Sequence, residues 1–203
     1  WRTQNEGITW EPIFDEAPTT SIGDVTLAPS NPDILWVGTG EANIFRSSMA
    51  GCGVYKSTDG GDSFKHMGLT ATHTIPRIVI HPTNPNVVYV ASSGREWTDN
   101  EERGIYKSTD GGESWARINS LNPRPFYYSQ LRIDPSDDRF QYVLGVSLHG
   151  SINGGQEFKR IGNRVHPDHH ALWVDPRDGR HLILGCDGGL YVTHDRGATW
   201  DFH

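Results

Sequence analysis

Residues 166–170 read His-Pro-Asp-His-His, which puts His166, Asp168 and His170 at alternate positions. In extended backbone, alternate side chains share a face. Two imidazoles and a carboxylate gathered in that way can hold Zn²⁺ or another divalent ion, or pass a proton between them. Three roles therefore fit the segment: a metal or catalytic site, a polar hydrogen-bonded plug, or a patch for ligand recognition. Pro167 can break the alternation. His149 and His194 lie in neighbouring segments that can join the cluster, and Asp187, in Gly-Cys-Asp-Gly-Gly, can either cap its own turn or pair with the histidines.

A second set lies on two long loop-like stretches. GTGEANIFRSS (residues 38–48) carries Glu41, Asn43 and Arg46, and SSGREWTDNEERG (residues 92–104) carries Arg95, Glu96, Trp97 and Asp99. Glu41 has the chemistry of a general acid or base and Arg46 that of a carboxylate clamp; a Glu41–Arg46 pair tying the loop down is the plainer reading. Trp97, exposed, can stack on a sugar ring or a peptide side chain. Two such loops side by side predict one binding surface on one face. Phe126, Tyr127 and Tyr128 in PRPFYYSQ read as packing between structural units.

Composition narrows the classes. The 203 residues carry a formal charge of −7 and no Lys/Arg-rich block, which argues against a nucleic-acid or anionic-membrane partner. No apolar run approaches the ~20 residues needed to span a bilayer. The chain opens at Trp1 without methionine or a signal-like segment, the expectation for a processed, cut or partial chain. Its only cysteines, Cys52 and Cys186, are far apart, and free, partly buried thiols are expected rather than a bridge. No G-x-S-x-G elbow, P-loop or Cys-rich metal motif is present.

The elements that must position these residues come from a repeat. Five octapeptides align: TQNEGITW (3–10), STDGGDSF (57–64), STDGGESW (108–115), SINGGQEF (151–158) and THDRGATW (193–200). Their acidic or amide residues are Asn5, Asp59, Asp110, Asn153 and Asp195, at intervals of 54, 51, 43 and 42 residues, the length of a four-stranded unit. The Asp or Asn oxygen can accept hydrogen bonds from its own turn. A following Gly permits the positive φ of a tight hairpin, and the closing aromatic anchors the next strand. A residue used once per unit, and replaced by Asn at two positions, reads as structural and not as a unique catalyst.

Between the octapeptides, β-rich runs flank Pro-containing turns at 24–40, 77–93, 131–146 and 172–189, and a third run leads into each octapeptide (GVYKS, GIYKS, GLYVT). Four antiparallel strands per unit predict an all-β chain of β-propeller blades. Residues 1–15 then hold the last hairpin of a first blade, followed by blades at 20–70, 71–122, 123–162 and 163–203. Both ends supply a last-strand segment, ITWEPIF and TWDFH, so one shared blade cannot close the ring. The expectation is a region of a larger propeller, with a small propeller closed in another way as the alternative. In either, 166–170 leads into an innermost strand at the mouth of the central channel.

The octapeptides at Ser57, Ser108 and Thr193 resemble those of the BNR/Asp-box superfamily of propellers, which includes sialidases, xyloglucanase-type glycoside hydrolases and the sortilin/VPS10 receptors. WVGTGEANIFRSS, RIVIHPTNPNVVYVAS, HPDHHALWVDP and GCDGGLYVTHDRGATWDF together resemble large bacterial exported proteins of the sortilin-like or glycosyl-hydrolase-like kind. The resemblance covers nearly the whole chain and implies a propeller in an extracytoplasmic location. It does not single out an activity, because propellers host unrelated functions. The Phe-Arg-Ile-Pro motif of sialidases is missing, since Ile75-Pro76-Arg77-Ile78 has another order.

Three functions remain open from sequence. One is an exported recognition module that binds a protein, peptide or glycan through loops on one face. The second is a glycoside hydrolase, which needs two carboxylates across a cleft. The third is a scaffold subunit held in an assembly with further blades or chains.

Overall fold

The computed structural model describes residues 1–43, 48–95, 98–121 and 130–203. Its strands form four sheets, each an antiparallel meander of four strands in sequence order. The first holds β1 (Ile22–Ala28), β2 (Asn31–Thr39), β3 (Val54–Ser57) and β4 (Lys65–His66). The second holds β5 (Arg77–Ile80), β6 (Val88–Ser92), β7 (Gly104–Ser108) and β8 (Ala116–Asn119). In the third are β9 (Gln130–Ile133), β10 (Gln141–Leu144), β11 (Leu148–Ser151) and β12 (Lys159–Ile161). The fourth consists of β13 (His169–Asp175), β14 (Asp178–Cys186), β15 (Gly189–Thr193) and β16 (Asp201–Phe202). The first strands β1, β5, β9 and β13 pack side by side in that order. This is a β-propeller arc, and its four sheets do not close into a ring.

The meander explains where function can sit. The octapeptide turns and the turns between first and second strands emerge at one end of the sheets. Loops between second and third strands, and the links from sheet to sheet, emerge at the other. We call these the turn end and the loop end.

Each octapeptide closes its hairpin by the same chemistry. The Ser108 hydroxyl donates to Asp110 Oδ1 (2.7 Å) and accepts from Gly112 N–H (2.8 Å), while Asp110 Oδ1 accepts from Ser114 N–H (3.0 Å) and Oδ2 from the Ser114 hydroxyl (2.5 Å). Ser57, Asp59 and Ser63 repeat this set, as do Thr193, Asp195 and Thr199. With Asn153, the amide oxygen still accepts from Ser151 (2.9 Å) and Glu157 N–H (3.0 Å). Asn5 accepts from Thr3 and from Thr9 N–H.

These bonds favour the ionised acid. The Ser63 hydroxyl first and then the Ser57 hydroxyl hold Asp59 well below the usual carboxylate range, Ser114 does the same for Asp110, and Thr193 and then Thr199 lower Asp195 to about 2. Folded values below the unfolded one, ~4, mean that this stabilisation is complete above the unfolded pKa and lost as pH falls through the folded ones. Acid melts between about pH 4 and 2 should therefore be steep. Asp110→Ala should lower the melting temperature by several degrees without touching the loop end, and Asp110→Asn should cost less, because Asn153 already fills that role. Equal losses for Ala and Asn in a thermal melt would contradict this account.

Three apolar layers lie between the sheets. Trp36, Val54, Ile78 and Val88 belong to the first, Tyr89, Ile105, Leu131 and Val143 to the second, and Tyr142, Leu148, Leu172 and Leu184 to the third. The N-terminal segment covers the far side of the first sheet: Phe14 packs edge-on against Tyr55 (5.2 Å) and Phe64 (4.8 Å), and Arg2 pairs with Asp62 (2.7 Å). The far side of the fourth sheet is more open, with Trp173 45 % exposed.

Polar side chains fasten the first strands to one another. Asp24 Oδ2 accepts from Ile78 N–H (2.7 Å), Gln130 Nε2 donates to the His170 carbonyl (2.9 Å), and Arg132 Nε donates to the Leu172 carbonyl (3.1 Å). Cys52 and Cys186 are both free thiols. Among the described residues no helix is long and apolar enough to cross a membrane.

Candidate functional site

At the loop end, the β2–β3 loop, the link from the first sheet to the second, and the β6–β7 loop converge on a cavity of about 290 Å³. Ser48, Met49 and Ala50 come from the first loop, His73 and Thr74 from the link, and Gly94, Arg95 and Thr98 from the second loop. Backbone hydrogen bonds lock the three segments together: Gly51 N–H to the His73 carbonyl (2.6 Å), Ile75 N–H to Thr39 (3.0 Å) and Ser93 N–H to Thr74 (3.1 Å). Met49 is set by its carbonyl, which accepts from Glu41 N–H (3.0 Å), and by the Thr20 hydroxyl on its sulfur (3.2 Å).

Two side chains give this cavity its polarity. Arg95 Nε donates to His73 Nε2 (3.1 Å), so the neutral imidazole carries its proton on Nδ1. His73 has φ 55, in the region of positive φ that few non-glycine residues adopt, and follows the short 3₁₀ turn Thr70–Thr72. The Arg95 carbonyl in turn accepts from Arg103 Nη2 (2.8 Å) and Asn100 Nδ2 (3.0 Å), which stiffens the loop that presents the guanidinium. The cavity lining holds a fixed cation, an imidazole, hydroxyls and a thioether, and no carboxylate among the described residues.

Glu41 is not part of that lining. Its Oε1 accepts from Asn43 N–H (3.3 Å), within its own loop. Arg46, Trp97 and the aromatics Phe126, Tyr127 and Tyr128 lie outside the described residues, and with Arg46 so does the Glu41–Arg46 pairing.

The His-Asp-His alternation expected at 166–170 is not formed. Asp168 has φ 65, which breaks the extended backbone on which the alternation depends, and β13 begins only at His169. His166 turns back, with Nδ1 3.0 Å from the Pro167 carbonyl. Among the described residues no group of three His, Cys, Asp or Glu could hold a metal ion. What the fold does assemble is a pair: His170 Nε2 lies 2.7 Å from Asp187 Oδ1, both exposed at the loop end. The β13–β14 register, which pairs His169 with Cys186, brings them together.

His169, which sequence reasoning passed over, is buried, with Nδ1 3.2 Å from the Gly145 carbonyl. Burial lowers its pKa and that of His149, so both favour the neutral form. His194 does not join the 166–170 segment. Its ring stacks on His181 at 4.5 Å at the turn end, where His181 also meets Asp175 (3.3 Å). His73 left no sequence signal, because its position depends on a positive-φ backbone in an irregular link.

Comparison with known proteins follows this geometry. Xyloglucanases are among the curated relatives: one from a Paenibacillus species is 22% identical over 98% of this chain, and an oligoxyloglucan-reducing end-specific xyloglucanase from Emericella nidulans is 23% identical over 94%. This chain spans only 21% and 25% of their lengths. Among solved structures, an ancestral GH74 enzyme superposes with a TM-score of 0.65 at 18% identity, covering 96% of this chain and 25% of that one. The Niastella koreensis GH74 enzyme gives 0.63 at 21% identity, covering 88% and 28%. YCF48 from Cyanidioschyzon merolae gives 0.52 at 15% identity, covering 92% and 58%. These likenesses show the propeller fold. Residues 1–120 match the sequence model of the Sortilin-Vps10 family, described as sortilin, neurotensin receptor 3. With that match over more than half of its length, the chain belongs to the Sortilin-Vps10 family.

Proposed function

We infer that this chain is a recognition region of an exported β-propeller protein, and that it holds a glycan at the loop-end cavity between its first two sheets. The supporting observation is the lining of that cavity. Arg95 and His73 present hydrogen-bonding groups to ring hydroxyls, the Thr98 hydroxyl adds a donor and an acceptor, and Met49 and Ala50 offer apolar surface to the C–H face of a sugar. The xyloglucanase relatives make a xyloglucan-type oligosaccharide the first ligand to try.

Glycoside hydrolysis is the second reading, and the same relatives favour it. The usual mechanism needs two carboxylates on opposite sides of the scissile bond, and among the described residues the cavity lining supplies none. On that reading the carboxylates come from outside the described lining.

Calorimetric titration with xyloglucan oligosaccharides, run beside a reducing-end assay, separates the two. Saturable binding without new reducing ends is expected, weakened about tenfold by Arg95→Ala through loss of a charged hydrogen-bond donor. Release of reducing ends would favour the hydrolase. No binding by a folded protein would sink the glycan reading.

A further inference from the structure

A second cavity, of about 370 Å³, lies at the turn end between the third and fourth sheets, beside a residue that departs from the octapeptide pattern. After the Asp or Asn, three turns carry glycine at positive φ: Gly60 (70°), Gly111 (74°) and Gly154 (72°). The fourth sheet's turn has Arg196 there, at φ 62, and the first turn has the exposed Glu6, at φ 59. An L side chain is disfavoured in this region; Glu6 is exposed there, whereas Arg196 is partly buried.

Arg196 turns inward. Its guanidinium carbon lies 3.6 Å from the centroid of the Phe140 ring, and Nη2 is 3.6 Å from Asp134, whose side chain has 0% exposure. Nη1 is buried without a hydrogen-bond partner, and so is the hydroxyl of Tyr142, a residue 2% exposed. Burial pushes the Tyr142 phenol up to about 12, so it stays protonated and can donate. Arg196 and Tyr142 both line the cavity, as do the apolar Phe140, Ile152 and Ile161, the ammonium-bearing Lys159 and the carboxylate-bearing Glu157.

Two buried donors that make no hydrogen bond, an ammonium that offsets Glu157, and apolar walls fit a ligand that brings a negative oxygen and a flat apolar body. A guanidinium matches a carboxylate better than a neutral hydroxyl. The volume admits one ring with its substituents. We propose that this cavity binds a small ring-bearing carboxylate, a uronic acid or an aryl acid, with its carboxylate taken by Arg196 and Tyr142 and its ring laid on the apolar walls. This site is separate from the loop-end cavity and does not depend on that reading.

Titration of the chain with glucuronate and phenylacetate, beside neutral glucose and benzyl alcohol, followed by protein-observed NMR, tests it. At least one acid should bind saturably and the neutral compounds much more weakly, with the tighter acid identifying a sugar or an aryl source. Tyr142→Phe removes only an unpartnered hydroxyl, so melting should stay unchanged or rise while acid binding weakens about tenfold. Arg196→Gly installs the residue of three sister turns and should abolish acid binding; if it fails to fold, Tyr142→Phe decides. Arg95→Ala should leave acid binding intact. No saturable binding of either acid, equal binding of the neutral compounds, or wild-type affinity in Tyr142→Phe would overturn the proposal.

Discussion

Trp36→Ala should cost about 3–5 kcal/mol, the largest loss expected from any single side chain here. Trp36 has 0% exposure and stands between the first two sheets. Its ring meets Trp115 edge-on at 5.9 Å, carries the Lys56 ammonium at 5.2 Å from its centroid, and packs so closely on Gly112 that a Cβ there would overlap it. Truncation would leave a cavity that rigid sheet backbones cannot fill. A domain with ~5–15 kcal/mol of stability would lose a large share of it. Denaturant unfolding measures this directly, with Trp173→Ala, at a 45 % exposed site, as a control expected to change little. A loss below about 1 kcal/mol for Trp36→Ala would mean that this layer does not hold the sheets together.

Gly40→Ala should damage stability and the loop-end cavity together. Gly40 has φ 99, and a Cβ on it would overlap the His73 carbonyl oxygen. That carbonyl accepts from Gly51 N–H, so the clash falls on the crossing that joins the β2–β3 loop to the inter-sheet link. Relief requires a backbone shift at His73, which moves the imidazole away from Arg95. A destabilisation of about 2 kcal/mol or more is expected, with ligand affinity at this cavity lost even at temperatures where the protein stays folded. Native melting together with native affinity would show that Gly40 does not set the cavity.

The repeat was legible because each octapeptide uses one local chemistry that needs no distant partner: Ser108, Asp110 and Ser114 close their turn among themselves. The site was legible only in outline. Alternation of side chains assumes extended backbone, and Asp168, at φ 65, does not provide it, so the expected trio gave way to the His170–Asp187 pair. That pair follows from the β13–β14 register, which residue types alone do not reveal. The two long loops do meet around one cavity, with Arg95 on its wall, but its imidazole is His73, placed by a positive-φ residue in an irregular link. Arg196 stayed hidden for a similar reason, since pattern reading expects glycine at positive φ.

Hydrogen–deuterium exchange with and without a xyloglucan oligosaccharide tests the central claim most directly. The amides of Gly51, Ile75 and Ser93 bond across the three segments around the loop-end cavity, and ligand binding there should slow their exchange while the octapeptide turns stay unchanged. Unchanged exchange at these amides under saturating ligand, or protection confined to the turn end, would contradict the assignment of this cavity as the binding site.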